Sequence, residues 1–313
     1  MALYLITGIG GFIGSSLARE LLARGEQVRG VDNFSTGKRE NLSDILHCID
    51  FREADITDLN TMHKACAEVD YVLHQAAIPS VPKSVLDPLG SNRANVDGTV
   101  NVLVAARDAK VKRVIFAASS AAYGDTPTLP KHEDMKPDPI SPYAVAKLAG
   151  EHYLTSFYRC YQLETVSLRY FNIFGPRQDP SSPYSGVLAK FITAMLRGEQ
   201  PAIYGDGEQS RDFTYIDNAV EANLLACKAP AAQVAGQVFN VATGRRVTLN
   251  ETFKILQGLT SYTGQPKYGP DRGGDIKHSL ADISRAEAAL GYKPKVDFEE
   301  GLRRTVEWYR KST

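Results

Sequence analysis

The sequence predicts an α/β protein: a doubly wound parallel sheet with a smaller C-terminal α/β unit. Three observations carry this. A glycine-rich turn joins the first strand to the first helix. Apolar runs of strand length alternate with stretches of helix length. Residues suited to chemistry fall at the carboxyl ends of the strands, where such sheets bind ligands.

Leu3-Tyr4-Leu5-Ile6 is a short apolar run ending in Thr7-Gly8. Gly8-Ile9-Gly10-Gly11-Phe12-Ile13-Gly14 follows, then an amphipathic stretch over residues 15–24, closed by Gly25. Gln27-Val28-Arg29-Gly30-Val31 is a second strand, ending in Asp32, 18 positions after the last glycine. Glycines permit a tight turn and bring the backbone close to a pyrophosphate at a helix N-terminus. An acidic residue at the end of the second strand accepts hydrogen bonds from both hydroxyls of an adenosine ribose and repels a 2′-phosphate. The unit therefore predicts a Rossmann-like site for NAD rather than NADP. Lys38 and Arg39 follow; they either reach a 2′-phosphate or form a solvated turn.

The alternation continues. Residues 51–56 read as a strand end that places Asp55 and Ile56 against adenine. Residues 59–66 are a short helix. Tyr71-Val72-Leu73-His74 is a strand opening into Gln75-Ala76-Ala77, whose small side chains let a cofactor lie close. Residues 92–110 form one long helix containing Asn95. Residues 113–118 are a buried strand ending in Ser119-Ser120, and residues 164–170 a sixth strand ending in Phe171-Asn172. Gly8, Asp32, Asp55, Gln75, Ser119 and Asn172 all sit at such ends. Between the last two strands a helix runs to about Tyr161, with Tyr143 and Lys147 four residues apart and so on one face. That spacing alone is also that of an ordinary helix face. In a cleft, a nearby cation favours an ionised phenol and makes Tyr143 a candidate general base.

The 313 residues divide into a predicted NAD-binding unit, 1–171, to which segments near 206–241 return, and a mainly substrate-binding unit, 172–313, discontinuous. After Asn172 the composition shifts to Pro, Ser, Gly and scattered Arg. Residues 299–311 form a plain amphipathic helix in which Trp308 packs. Lys plus Arg equals Asp plus Glu, 36 each, so no basic footprint for nucleic acid or anionic membrane is present. No apolar run approaches the roughly 20 residues that span a bilayer. The N-terminus lacks the pattern of a signal peptide. The four cysteines are scattered, which fits reduced thiols in a cytoplasmic protein, and no metal motif is expected.

Thr7-Gly8-x-x-Gly11-x-x-Gly14, the Ser119 strand end and Tyr143-x-x-x-Lys147 together resemble the extended short-chain dehydrogenase/reductase superfamily, over nearly the whole chain. Within it the sequence looks like a UDP-sugar 4-epimerase. It is most similar to the branch acting on UDP-N-acetylglucosamine and its uronic acid, used for bacterial surface polysaccharide biosynthesis. The strings carrying this are His74-Gln75-Ala76-Ala77, Ser80-Val81-Pro82-Lys83-Ser84, Arg169-Tyr170-Phe171-Asn172, Gln209-Ser210-Arg211-Asp212-Phe213 and His278-Ser279-Leu280-Ala281-Asp282.

The resemblance implies NAD regenerated each cycle, a UDP-sugar substrate and a homodimer. It implies that Tyr143, ionised beside Lys147, takes the proton of the sugar 4-hydroxyl, and that Ser119 hydrogen-bonds the same oxygen. The implied cofactor contacts are Gly8, Gly11, Phe12, Ile13, Asp32, Asn33, Ser35, Thr36, Gly37, Asp55, Ile56, Gln75, Ala76, Ala77, Asn95, Tyr143, Lys147 and Tyr170. On the substrate side, Arg211 and Arg272 are implied to clamp the diphosphate, a task suited to bidentate guanidinium; each alone also reads as a surface ion pair. Asn172 is implied to reach the phosphates, Asp275 the ribose, and Ala202 and Tyr204 the uracil, with Val187 and Leu188 beside them. Val81, Lys83, Ser84, Ser119, Ser120 and Tyr143 are placed at the sugar, where Lys83 either meets a carboxylate or is a solvent lysine.

Two positions separate sibling reactions. Nucleotide-sugar dehydratases resemble Thr-Asp-Glu where this chain has Ser119-Ser120-Ala121, and UDP-glucuronate decarboxylases carry Glu at the position of Ala121. Neither carboxylate is present, which leaves plain 4-epimerisation. Ala121 also departs from the polar residue of the closest branch. At Ser279, epimerases restricted to UDP-glucose and UDP-galactose resemble a bulky Tyr; a Ser leaves room for a 2-acetamido group. The implied pair is UDP-GlcNAc/UDP-GalNAc, also UDP-Glc/UDP-Gal, with UDP-glucuronate or UDP-GlcNAc-uronate as the alternative, and a non-catalytic NAD-binding scaffold as the alternative of a different class.

Overall fold

Six of the strands are those the apolar runs predict: β1 (Leu3–Thr7), β2 (Gln27–Asp32), β3 (Asp50–Glu53), β4 (Tyr71–His74), β5 (Arg113–Ser119) and β6 (Glu164–Tyr170). They are seen in a computed structural model that describes residues 1–179, 186–270 and 276–312. The strand Gln237–Val241 joins them, giving the order Gln237–Val241, β6, β5, β4, β1, β2, β3. Every neighbouring pair is parallel. The order in which strands are added reverses at β1, between β2 and β4, and the carboxyl ends there open the cleft expected of a doubly wound sheet. Register brings Thr7 beside both Val31 and His74, and Ser119 beside Tyr170, so the functional ends lie in one row.

Helices cover both faces, and the strands are accordingly apolar throughout rather than alternating. One core cluster joins β1 to helix α1 (Phe12–Ala23) and the helix Ile216–Lys228. The other lies under α2 (Leu59–Cys66) and the helices Gly98–Asp108 and Pro142–Tyr161. The α2 start is set by Asp58, whose carboxylate accepts from the amides of Asn60 and Thr61. Helix α1 begins at Phe12, three residues before the amphipathic pattern suggests, because the glycine turn itself feeds into it. Gly25, at φ 75°, follows its end.

The single helix expected over 92–110 is instead three pieces. Pro88–Asn92 begins early, capped by Asp87. A π-type turn spans Arg93–Asp97, and Gly98–Asp108 completes the run. The wide turn falls at Asn95, whose buried amide accepts from the Ile78 amide at 2.8 Å and donates to the Ile78 carbonyl. Such turns are frequent at functional sites. A further short helix, Val81–Leu86, is started by Ser80 and Pro82 within the string read from sequence only as a motif.

Apart from Gln237–Val241, the strands described beyond Asn172 are short and pair in twos: Ile173–Phe174 with Thr214–Tyr215, Ser210–Arg211 with Val247–Thr248, and Ala202–Tyr204 with Lys267–Gly269. Trp308 packs against the first core cluster from the terminal helix Phe298–Ser312. Among the described residues no helix is long and apolar enough to cross a membrane.

The helix Pro142–Tyr161 lies on β5 through a glycine. A Cβ built on Gly150 would sit 2.5 Å from the Phe116 ring, which is itself buried. Gly150→Val is therefore expected to lower stability by about 2 kcal/mol or more, read as a drop in the urea midpoint with an unchanged slope.

Candidate functional site

The first part of the cleft is the glycine turn. A Cβ on Gly8 would meet the Ala76 backbone at 2.7 Å, and one on Gly14 would meet the Gly8 carbonyl oxygen at 2.2 Å. The turn is thus packed backbone to backbone. Gly11 caps α1 without a side-chain hydrogen bond, so the amides of Phe12 and Ile13 begin a helix whose first turn faces the cleft. Asp32 closes β2 with its carboxylate buried. It accepts from the Gly10 amide at 2.8 Å and the Phe34 amide at 2.7 Å. Burial pushes this carboxyl up, opposed by those two amides. Two lone-pair directions remain for ribose hydroxyls. The loop of Asn33, Ser35, Thr36 and Gly37 is stitched to the turn: Lys38 donates its amide to the Gly10 carbonyl at 2.9 Å. Lys38 pairs with Asp179 and Arg39 with Glu53, the arrangement of a structural turn.

The second part is the end of β4. Asp55 accepts from the Asn33 side chain at 2.7 Å and from Thr57. Ile56 is buried under Gly98. Beneath Ala76 and Ala77 runs a buried polar chain. The Thr7 hydroxyl lies 2.7 Å from His74 Nδ1, and His74 Nε2 lies 3.0 Å from the Thr99 hydroxyl. Thr99 donates to the Asn95 carbonyl, so Nε2 carries the proton and Nδ1 accepts from Thr7. Burial drives the His74 pKa down to about 3, leaving the ring neutral. Thr7 Oγ1 also accepts from the Ala76 amide at 3.3 Å. Gln75 and Tyr170 are joined through Asn223, a residue sequence reasoning did not single out.

The third part carries proton chemistry. Ser141 caps the helix Pro142–Tyr161, with Pro142 in its first turn. Tyr143 is half-buried. Lys147 is only 3% exposed, and its ammonium donates to the Ala117 carbonyl at 2.7 Å. Burial lowers the Lys147 pKa to about 8 against the opposing charge of Glu151. Burial also pushes the Tyr143 phenol up, while a hydrogen bond with Ser119 favours its ionised form. The chain alone thus raises rather than depresses the phenol, because the protein buries it without placing a strong charge on it. Ser84, expected at the sugar, is fully buried. Its hydroxyl donates to the Val81 carbonyl and accepts the Tyr143 amide at 3.0 Å, anchoring the catalytic helix. Val81 and Lys83 are exposed on the same short helix, and Ser120 and Ala121 follow Ser119 in a tight turn.

The fourth part is a cavity of about 460 Å³. Asn172, Val187, Leu188, Ala202, Tyr204 and Arg211, all assigned to the nucleotide by resemblance, line it together. Gln178 and Lys190 line it as well; no motif marked them. Asn172, at φ 42°, donates to the Asp212 carbonyl and to the Ser279 hydroxyl at 3.2 Å. Fully buried Asp212 accepts from the backbone of Thr243, Gly244 and Ala281, binding the loops of this region into one body. Arg272 and Asp275 lie outside the described residues.

Residues 4–242 match the NAD dependent epimerase/dehydratase family. A UDP-glucose 4-epimerase of Mycolicibacterium smegmatis is 40% identical over 310 residues, 98% of each chain. The structure of UDP-N-acetylglucosamine 4-epimerase from Methanobrevibacter ruminantium M1, in complex with UDP-N-acetylmuramic acid, superposes with a TM-score of 0.95 at 43% identity, covering 100% of this chain and 99% of that one. UDP-glucose 4-epimerase of Thermus thermophilus, complexed with NAD, gives 0.89 at 37% identity, covering 99% and 100%. The chain belongs to the NAD-dependent epimerase/dehydratase family. NAD is its cofactor, and the side-chain-free approach of Gly8 and Gly14, the open first turn of α1 and the remaining acceptor capacity of Asp32 fit it.

Asp32→Ala removes both the ribose acceptors and the partner of the Gly10 amide. Purified variant protein is expected to retain less than about a tenth of the NAD held by the wild type, since a hydrogen bond to a charged group is worth roughly 1.5–3 kcal/mol. Chromatography of the cofactor released by denaturation measures this.

Proposed function

We propose that the chain is a UDP-sugar 4-epimerase that inverts C4 through a transient 4-keto sugar, with UDP-GlcNAc/UDP-GalNAc as its pair and UDP-Glc/UDP-Gal also accepted. The observation that supports it most is the convergence of Ser119, Tyr143 and buried Lys147 at the carboxyl end of β5, with Ser and Ala at 120 and 121. Elimination or decarboxylation needs a carboxylate there. Oxidation and re-reduction at one carbon does not.

The turn of Gly8 and Gly14 and the carboxylate of Asp32 would hold NAD, which would supply the hydride acceptor and donor for the sugar C4. The protein's part is to move a proton and hold the nucleotide. Lys147, desolvated and held at the Ala117 carbonyl, stands one helical turn beyond Tyr143, and the hydrogen bond with Ser119 favours the phenolate. Tyr143 takes the proton of the 4-hydroxyl, and Ser119 bridges the same oxygen. The cavity lined by Arg211, Tyr204 and Leu188 anchors the UDP while the keto sugar turns over and presents its other face. Ser279 leaves the volume for a 2-acetamido group. A homodimer is supported by the exposed apolar residues Leu86, Leu89, Ile140 and Val145, which lie on adjoining helices and the loop beside them.

A panel of UDP-sugars followed by NMR of the products tests the reading. Interconversion of UDP-GlcNAc and UDP-GalNAc is expected; turnover of UDP-glucuronate alone would reassign the substrate. Tyr143→Phe is expected to lose about 10³-fold or more in kcat, the scale of a positioned general base. Ser279→Tyr is expected to lose UDP-GlcNAc turnover while keeping UDP-glucose turnover.

A further inference from the structure

Glu151 and Arg169 are a buried ion pair that no cofactor or substrate contact explains. Arg169 Nε lies 2.9 Å and Nη2 2.7 Å from the Glu151 carboxylate, a two-point grip. Both residues are 3% exposed. The third guanidinium nitrogen, Nη1, is buried with no hydrogen-bond partner. Its neighbour is a ring: the guanidinium carbon lies 4.6 Å from the centroid of Tyr123. A buried pair can often be replaced by well-packed apolar side chains without loss of stability, so burial of one is weak grounds for a purely structural role. An N–H left unmade strengthens that argument.

The placement of the pair is specific. Tyr143, Lys147 and Glu151 follow at successive intervals of four on one helix face. Arg169 lies on β6, one residue before Tyr170, which pairs with Ser119 in register. Tyr123 ends the tight turn that begins immediately after Ser119, and its hydroxyl donates to Asn240 on the adjoining edge strand at 2.7 Å. One guanidinium therefore touches both the helix carrying the Tyr–Lys pair and the turn carrying the serine.

We infer that the Glu151–Arg169 pair is a positioning device for the catalytic lysine: its carboxylate keeps Lys147 a cation, and its guanidinium ties the catalytic helix to the Ser119 turn. Arg169 grips the Glu151 carboxylate at two points, one helical turn beyond Lys147, and that carboxylate opposes the effect of burial on Lys147. The other groups around Lys147 do not supply that charge. From its own helix comes the Tyr143 phenol, from β5 the Phe116 ring and the Ala117 carbonyl, and from β4 the neutral His74. Arg113 and Glu164 pair with each other at the far end of β5 and β6. Arg107 of the helix Gly98–Asp108 pairs with Asp108 and stacks on Tyr161. Lys83, Asp87, Arg93 and Asp97 are exposed on the turns packed beside the helix start.

The inference rests on the reading of Lys147 as the cation of a 4-epimerase, and its test separates the two. In ¹⁵N-lysine-labelled protein, the wild-type Lys147 ammonium is expected to titrate near 8, lowered by burial and raised by Glu151. In Glu151→Gln the midpoint is expected to fall by about one unit, a tenfold change in the protonation equilibrium, and the alkaline limb of kcat to move down with it while KM changes little. Glu151→Asp, which keeps the charge, should keep both. The double variant Glu151→Met/Arg169→Met removes the charges without leaving either unpaired. It is expected to melt near the wild-type temperature yet retain the lowered midpoint. The midpoint and the ratio of kcat at two pH values do not depend on how much protein folds, so any folded member of the set is decisive. A wild-type midpoint in Glu151→Gln or in the double variant overturns the inference. A wild type that turns over no UDP-sugar would sink the epimerase reading while leaving the titration result intact.

Discussion

The site depends on keeping one desolvated cation charged. Lys147 sits below the cleft floor with a single backbone acceptor, the Ala117 carbonyl. An ammonium removed from water favours its neutral form unless an anion or a set of acceptors compensates. In this fold the acceptor comes from the strand that carries Ser119, and the anion from the helix that carries Lys147. Lys147 is thereby fixed between the two elements whose relative placement decides whether Ser119 and Tyr143 can share one substrate oxygen. Gly150 admits the approach of that helix to β5, and Ser84 holds its first turn. The sheet orients the site; these close contacts set its geometry.

A second pattern runs through the cleft: side chains at ligand-facing positions also hold one another. Asp32 holds the glycine turn through Gly10. Asn172 is held by Asp212 and Ser279. Gln75 and Tyr170 share Asn223. A buried polar group left unmade costs roughly 1–3 kcal/mol, so loops that must face a polar ligand are stable only if their polar groups are satisfied on the protein side too. The consequence for Ser279 is that its hydroxyl, by accepting from Asn172, sets the pose of the neighbouring amide, beside the room for a sugar proposed for its small side chain.

The sheet, and the placing of Tyr143 and Lys147 on one helix beside the strand that ends in Ser119, were legible in the sequence because their signals are local. A strand, a glycine turn and a helix follow within about thirty residues, and the Tyr–Lys spacing spans one helical turn. What was not legible was made by long-range contact. The π-type turn at Asn95 exists because its amide reaches back to Ile78, and no periodicity records that. Asn223 lies 53 residues from Tyr170, its partner, and Gln178 and Lys190 meet Arg211 only across the cavity. The ionisation of Tyr143 was anticipated from its lysine neighbour, whereas in the folded chain burial acts on the phenol more strongly than any charge the chain presents to it.

That difference bears on how the two halves of the molecule divide their work. The residues proposed to move protons, Ser119, Tyr143 and Lys147, stand on β5 and one helix, elements whose sequence spacing nearly determines their geometry. The residues that line the cavity come from the helix Val187–Leu196, from short strands and from loops between 172 and 249, beside the loops that the buried carboxylate of Asp212 joins. Hydride chemistry at one carbon tolerates little variation in the first set. Which sugar reaches it is set by the volume and polarity of the second. A chain can therefore declare its reaction through short motifs while its substrate is written in contacts, such as Asn172 to Ser279 across 107 residues, that only the fold brings together.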